Sequence, residues 1–328
     1  MPLETVSVIG GGAWGTALAQ AAAMAGRSVT LVVRHGSQAD EINRHHTNTR
    51  FLDAQTLHAS ISATIDIQPA DIVILAVPAQ ATRMMLSEID PAYLAGRPVI
   101  VSAKGLETGT LERQSQIVLD MAPDAVPYVL SGPSFAADVA AGRPTAVTLA
   151  GDDASATSAL AAALAGPSFR PYAADDRIGV EIAGALKNIY ALACGAVEGA
   201  NLGASARSAL LARGYSEMAR MVVAMGGSAS TLTGLAGLGD LTLTCTSTQS
   251  RNYQFGIALG QGRTVQDIIA AGAKLAEGVS TTPVAAELAR SLAVDVPLID
   301  AVNAVLSGRD TIQTIVAGLM SRPLKRED

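Results

Sequence analysis

The chain has 328 residues, 49% hydrophobic and only 3% aromatic, with a formal net charge of −6. That length suits two domains around an aliphatic, alanine-rich core, and the lack of any basic cluster argues against a nucleic-acid partner. Two cysteines without CxxC spacing, no uninterrupted run of about 18 apolar residues and no leader-like start argue against a disulfide framework, a zinc site, a membrane span and export, and fit a cytoplasmic setting.

Val6–Ile9 reads as a short apolar strand. GGGAWG follows, with Gly10, Gly12 and Gly15, and then TALAQAAAMAG, a helix that Gly26 can end. Strand, Gly-x-Gly-x-x-Gly and helix, in that order, receive a dinucleotide. Gly10 permits the tight turn, Gly12 lets the backbone approach a pyrophosphate, and Gly15 lets the helix pack on the sheet. The second strand, Ser28–Val33, ends at Arg34 and His35, where an NAD site usually carries a carboxylate for the ribose 2′-hydroxyl. A guanidinium there can pair with a 2′-phosphate, so NADPH is the preferred cofactor expected, with NADH second.

Glu41–Asn48 reads as a polar helix, and Phe51 to Ala63 fits no pattern. Asp71–Ala79 is a continuous apolar strand of the kind buried on both faces. A helix over Ala81–Ile89 and a strand over Val99–Ser102 follow, with Lys104 just past the carboxyl edge where ligands sit. Gln114–Met121 is helical, and Tyr128–Leu130 is a strand running into Ser131-Gly132-Pro133-Ser134. Thr145–Ala150, Ala154–Ala165 and Phe169–Tyr172 read as strand, helix and strand. Strands alternating with helices mean a doubly wound parallel sheet.

A polar turn over Ala173–Gly179 leads into a second half with helical patterns alone: Glu181–Val197, Ala206–Met225, Asn252–Leu259, Val265–Ala271, Thr282–Leu292, Leu298–Leu306 and Thr311–Leu319. Gly226–Thr248 has a linker's composition, but its leucines are too apolar for one. An ordered loop bearing Asp240 and Thr244 is expected there. Ser250, Arg251 and Asn252 precede a helix and offer a phosphate site. Glu277-Gly278 is expected to break the chain between helices.

Lys187 stands in a helical row with Gly184, Ala191 and Cys194. It is either a lysine snorkelling at a helix edge or a proton-transfer group beside a substrate. The four histidines, His35, His45, His46 and His58, all fall on the adenosine side of the nucleotide half, and no hydrolase or metal motif appears. Polar residues in apolar settings are Lys104, Lys187, Asn188, Asp240, Thr244, Arg251 and Asn252. That set fits hydride transfer to a small phosphorylated ketone.

VIGGGAWGTALA, VSAKGLE, LSGPSFA, EIAGALKNIYA, GLGDLTLTCTS and SRN resemble, in order and spacing, the NAD(P)-dependent glycerol-3-phosphate dehydrogenases of the bacterial biosynthetic type. The resemblance runs from the first strand to about Glu277. It implies an α/β N-terminal Rossmann domain with a doubly wound, mostly parallel sheet, residues 1–177. An all-α C-terminal domain for substrate and catalysis, residues 178–328, follows. It further implies reversible reduction of dihydroxyacetone phosphate to sn-glycerol 3-phosphate with NADPH or NADH, supplying glycerophospholipid synthesis. By position, Lys187 matches the family's proton donor and acceptor. Lys104, Gly132, Ser134, Lys187, Asn188, Asp240, Thr244, Ser250, Arg251 and Asn252 match substrate-binding positions, the last two at the phosphate. Gly10, Gly12, Ala13, Trp14, Gly15, Arg34, His35, Phe51, Lys104, Ala136, Arg251, Leu275 and Glu277 match cofactor positions, and no metal is implied. The expected partners are the small-molecule substrate and a second copy of the chain, a homodimer. A β-hydroxyacid or ketopantoate-type reductase, and a cofactor-binding sensor without turnover, are the rival readings.

Overall fold

An eight-stranded sheet occupies the first half of the chain. The computed structural model describes residues 3–53, 55–273 and 276–321. Strand β1 (Thr5–Ile9) runs through the glycine turn into α1 (Ala13–Met24), whose alanines pack close to the sheet. β2 (Ser28–Val32), α2 (Gly36–His45), the single turn α3 (Thr49–Leu52) and β3 (Ile61–Thr64) follow. Next come β4 (Ile72–Leu75), α4 (Thr82–Ser87), β5 (Pro98–Val101) and α5 (Gln114–Met121). β6 (Val126–Ser131), α6 (Ala136–Ala140), β7 (Thr145–Ala150), α7 (Ala154–Leu164) and β8 (Phe169–Ala174) complete this half.

The strand order is β3-β2-β1-β4-β5-β6-β7-β8. Winding reverses between β1 and β4, which pair in parallel from Val6 with Ile72 to Ile9 with Leu75. The crevice outside that reversal is where ligands bind in open sheets. All pairings are parallel except β6 with β7, so the sheet is mostly parallel, as expected. Buried aliphatic clusters cover both of its faces.

Among the described residues only helices and turns follow. α8 (Arg177–Gly199) and α9 (Ala204–Ala224) lead to α10 (Asp240–Thr246) and α11 (Arg251–Gly260). α12 (Val265–Ala270), α13 (Glu277–Ser291), α14 (Pro297–Leu306) and α15 (Ile312–Met320) close the chain. α8 is the axis of this half, and its apolar side chains form the centre of the third cluster. Its Val180, however, belongs to the cluster under β4, β5 and β6. The start of α8 is therefore packed on the sheet and its end among helices. Among the described residues α8 alone is long and apolar enough to cross a membrane, and 89% of that stretch is buried inside the protein.

The structure corrects several expectations. Asp71–Ala79 is a strand only over Ile72–Leu75, because the chain turns at Pro78, which has no N–H for the ladder, into a 3-10 turn at Ala79–Ala81. The polar helix is Gly36–His45, not Glu41–Asn48; His46, at φ 51°, stops it. The unplaced Phe51–Ala63 stretch ends in an edge strand, β3, paired with β2. The turn before α8 is shorter than Ala173–Gly179, since β8 reaches Ala174 and Asp176 caps the helix by accepting the Gly179 N–H at 2.8 Å. Gly226–Thr248 is largely helical rather than a loop: a 3-10 turn (Ala229–Thr233), a π turn (Leu235–Gly239) and α10. Glu277-Gly278 opens α13 instead of separating two helices.

Candidate active site

Lys187 does not snorkel. It is 6% exposed and lies where α8 passes the carboxyl edge of the sheet. Its Nζ donates to Asp240 Oδ1 and, at 2.9 Å, to Thr244 Oγ1, both on α10. One helical turn separates Asp240 from Thr244, so a single short helix presents both oxygens to one ammonium. Lys104 approaches from the loop after β5 and donates to Asp240 Oδ2 at 2.7 Å and to the Gly132 carbonyl at 3.3 Å. Ser134 Oγ donates to the same carbonyl at 3.0 Å. One buried carboxylate thus holds two ammoniums, one on each oxygen. Gly184 permits the approach: a Cβ there would stand 2.8 Å from Ser131 Oγ and 3.5 Å from Lys104 Cγ.

The electrostatics follow from this arrangement. Burial is the largest influence on Lys187 and pulls its ammonium down to about 8, with Lys104 helping and Asp240 opposing. Burial works to raise Asp240, but the two ammoniums outweigh it and hold the carboxyl below its ordinary range. A proton at Lys187 Nζ is then present at neutral pH yet easily given up.

A chain of amides continues from the cluster. Asn188 Nδ2 donates to the Lys104 carbonyl at 3.2 Å, Asn252 Nδ2 to Asn188 Oδ1 at 3.0 Å, and the Gly278 N–H to Asn252 Oδ1 at 2.9 Å. Ser250 caps α11, accepting the Tyr253 N–H at 3.2 Å, and Arg251 is exposed at its first turn. Burial pushes the Glu277 carboxyl up, against the opposing charges of Arg251, Lys104 and Lys187. Lys104, Lys187, Asn188, Asp240, Thr244 and Asn252 are therefore joined in one continuous hydrogen-bonded chain, and the charges of Arg251 and Glu277 act at the same place.

The nucleotide side meets the demands of a dinucleotide. Gly10 has φ 117°, and a Cβ on it would lie 2.7 Å from the Ala76 carbonyl oxygen. Around Gly12 a Cβ would meet nothing within 4 Å, and Gly12 caps α1 without a side-chain hydrogen bond. A pyrophosphate fits that open, N–H-lined corner. Gly15 sits directly against the Gly10 carbonyl. Ala13 and the half-buried Trp14 begin α1, Ala136 begins α6, and Arg34, His35 and Phe51 are exposed beyond β2, with the Arg50 guanidinium 5.4 Å over the Phe51 ring. Leu275 lies outside the described residues.

Comparison with known proteins agrees. The family model described as the N-terminus of NAD-dependent glycerol-3-phosphate dehydrogenase matches residues 5–157, and that of its C-terminus residues 176–317. The chain belongs to the NAD-dependent glycerol-3-phosphate dehydrogenase family. A relative from Caulobacter vibrioides, named glycerol-3-phosphate dehydrogenase [NAD(P)+], is 46% identical over the full length of both chains. One of the same name from Rhodopseudomonas palustris is 47% identical over 99% of each. The crystal structure of glycerol-3-phosphate dehydrogenase from Coxiella burnetii superposes with a TM-score of 0.91 at 36% identity, covering 98% of this chain and all of that one.

Two sets of residues in this family member escaped the sequence reading. Gln38 and Asn48 both donate to the Gly11 carbonyl, at 2.7 and 3.0 Å, and Asn48 Nδ2 also donates to Thr16 Oγ1 at 2.8 Å. They brace the glycine turn from behind. Glu181 binds Arg113 and Ser115 across 68 and 66 residues. The available signal was a carboxylate inside the apolar EIAGALKN run, six positions before Lys187.

Proposed function

We propose that the chain reduces dihydroxyacetone phosphate to sn-glycerol 3-phosphate, reversibly and with NADPH or NADH, as its family membership implies. The carrying observation is the buried Lys187, held by Asp240 and Thr244 at the edge of a nucleotide-binding sheet. When bound, the nicotinamide supplies the hydride for the carbonyl carbon. Lys187 supplies the proton for the carbonyl oxygen: two of its N–H groups go to Asp240 and Thr244, and the third serves the substrate. In the reverse direction neutral Lys187 takes the proton from the alcohol. Lys104, Lys187 and Arg251, against Asp240 and a Glu277 shifted towards its neutral form, leave the site positive, which suits a phosphorylated substrate. In this reading Arg251 and Asn252 hold the phosphate, while Lys104, Gly132, Ser134, Asn188 and Ser250 line the substrate. Gly10, Gly12, Ala13, Trp14, Gly15, Arg34, His35, Phe51, Ala136, Leu275 and Glu277 belong to the cofactor, and Lys104 and Arg251 also face it. The nucleotide part covers residues 1–177 and the catalytic part residues 178–328. The product feeds glycerophospholipid synthesis. Two free, buried cysteines support a reducing, cytoplasmic setting. A homodimer is the assembly proposed, and sedimentation equilibrium checks it.

The deciding assay is NADPH oxidation on addition of dihydroxyacetone phosphate. Lys187→Ala lowers kcat roughly 10²–10⁴-fold, the usual worth of a positioned acid, with NADPH affinity within about twofold of wild type. Turnover of a 2-keto acid but not of dihydroxyacetone phosphate would overturn the reading.

A further inference from the structure

Glu181 touches none of the groups around Asp240, yet it is 4% exposed and fully engaged. Its Oε1 accepts the Ser115 N–H at 2.8 Å, and its Oε2 accepts Ser115 Oγ–H at 2.6 Å and Arg113 Nη1–H at 3.0 Å. We propose that Glu181 is a positioning residue for Lys187: by gripping Arg113 and Ser115 it fixes α8 against the loop that carries Lys104, and so sets how the two ammoniums share Asp240.

The geometry runs through the loop from Ser102 to Arg113. Its two ends are joined by a bridge between Leu106 and Arg113 and by Gln114 Nε2 donating to the Gly105 carbonyl at 3.1 Å. Lys104 is next to that carbonyl. The same loop meets α8 a second time, where Asn188 Nδ2 donates to the Lys104 carbonyl. Glu181 lies six residues before Lys187, about 9 Å along the helix, and Asn188 one residue after it. Lys187 is thus bracketed by two attachments of α8 to one loop, and at Gly184, between them, a side chain would meet Ser131 Oγ and the Lys104 stem. A second pin holds the front of α8: Arg177 donates to Asp152 at 3.0 and 2.8 Å. The titratable and charged groups around Lys187 are Asp240 and Cys245 on α10, Lys104 on the loop, Glu277 on α13 and Arg251 on α11. None of them lies on α8. Their distances to Lys187 therefore depend on where α8 is held.

Only the kinetic arm of the test rests on the functional reading above. The chain has four lysines, Lys104, Lys187, Lys274 and Lys325, so lysine labelled with ¹³C at Cε gives a spectrum that can be assigned with Lys187→Arg. The Lys187 titration midpoint is measured in wild type, Glu181→Gln, Ser115→Ala and Arg113→Lys. Slackening α8 changes how Lys187 sits against Asp240, Lys104 and water together, so the midpoint moves by about 0.5–1 pH unit in the first two variants. In Arg113→Lys, which keeps the charge, it stays near wild type. The alkaline limb of dihydroxyacetone phosphate reduction moves by the same amount, while KM for NADPH stays within about twofold. A merely structural role lowers the rate equally at every pH and leaves the midpoint in place, and that result overturns the proposal. An unmoved midpoint in folded Ser115→Ala overturns it too, even where Glu181→Gln fails to fold. A wild type inert towards dihydroxyacetone phosphate overturns the functional reading, and the titration still decides the role of Glu181.

Discussion

Asp240→Asn tests the electrostatics of the site with little change in shape. The amide occupies nearly the same volume but leaves Lys104 and Lys187 without their shared counter-charge. At 2.7 Å from Lys104 Nζ, the gross attraction is about 6 kcal/mol for an effective dielectric constant near 20, and the burial penalty cancels part of it. An opposite charge at this range is worth roughly 1–3 pK units. Taking two, Lys187 falls from about 8 to roughly 6. At pH 7 its ammonium fraction then drops from about nine-tenths to about one-tenth. Reduction of dihydroxyacetone phosphate needs the ammonium, so its rate at pH 7 falls about tenfold from protonation alone and recovers on acidification. Oxidation of glycerol 3-phosphate needs the neutral amine, whose fraction at pH 7 rises as much, so the acidic limb of that reaction moves down. Initial rates in both directions, across about pH 5.5 to 9.5, give the two limbs. A reduction profile whose alkaline limb stays near 8, or limbs moving in opposite senses, would refute the reasoning.

Two further outcomes are expected. Arg34→Ala raises KM for NADPH about tenfold or more, the worth of one charged hydrogen bond, and leaves KM for NADH within about twofold, as steady-state kinetics with each cofactor show; equal effects would remove the 2′-phosphate role. Glu217, 1% exposed on α9, accepts the Leu298 and Ile299 N–H groups at the start of α14, at 2.7 and 3.3 Å. Burial is the main influence on its carboxyl and pushes it up to about 7, with Arg220 opposing and Asp295 adding. Because the folded chain binds this proton more tightly, its stabilising contribution is complete below about pH 4.5 and is lost as pH rises through about 7, a change of roughly 3 kcal/mol. Urea unfolding at about pH 5 and pH 8 should show a smaller loss of stability in Glu217→Gln than in wild type; parallel losses count against it.

The sequence carried what is local. The glycine turn, the alternation of strands and helices, and a lysine in a row of small residues each declare themselves within about 20 positions. Asp240 and Thr244 were recognisable as polar residues in an apolar stretch. Their helix was not, because a run of glycines and threonines opening with a π turn has no helical periodicity to read. The reversed pairing of β7 was equally hidden, since α6 and its turns return the chain without any change in strand composition. Contacts set by tertiary structure left the least trace. Glu181 finds its partners 66 and 68 residues away, and Asn48 braces a turn 37 residues before it.

Close packing of α8 on α11 explains why Asn188 and Asn252 meet, and it can be tested apart from the charges. Gly195 and Gly199 on α8 face the Tyr253 and Ile257 carbonyls, while Gly256 and Gly260 on α11 face those of Leu192 and Ala196. At each of the four, a Cβ would collide with a backbone oxygen of the opposite helix. The two backbones therefore touch, and the N-terminus of α11, with Arg251 and Asn252, is held at the level of Asn188. Gly256→Ala forces the helices apart at a cost of roughly 1–3 kcal/mol, lowers Tm, and raises KM for dihydroxyacetone phosphate more than KM for NADPH. Gly318→Ala on α15 is the control, because a Cβ there meets nothing within 4 Å; the same change in chemistry should be neutral or stabilising by about 0.5–1 kcal/mol. If Gly256→Ala lowers Tm but leaves both KM values alone, α11 is positioned by something other than its contact with α8.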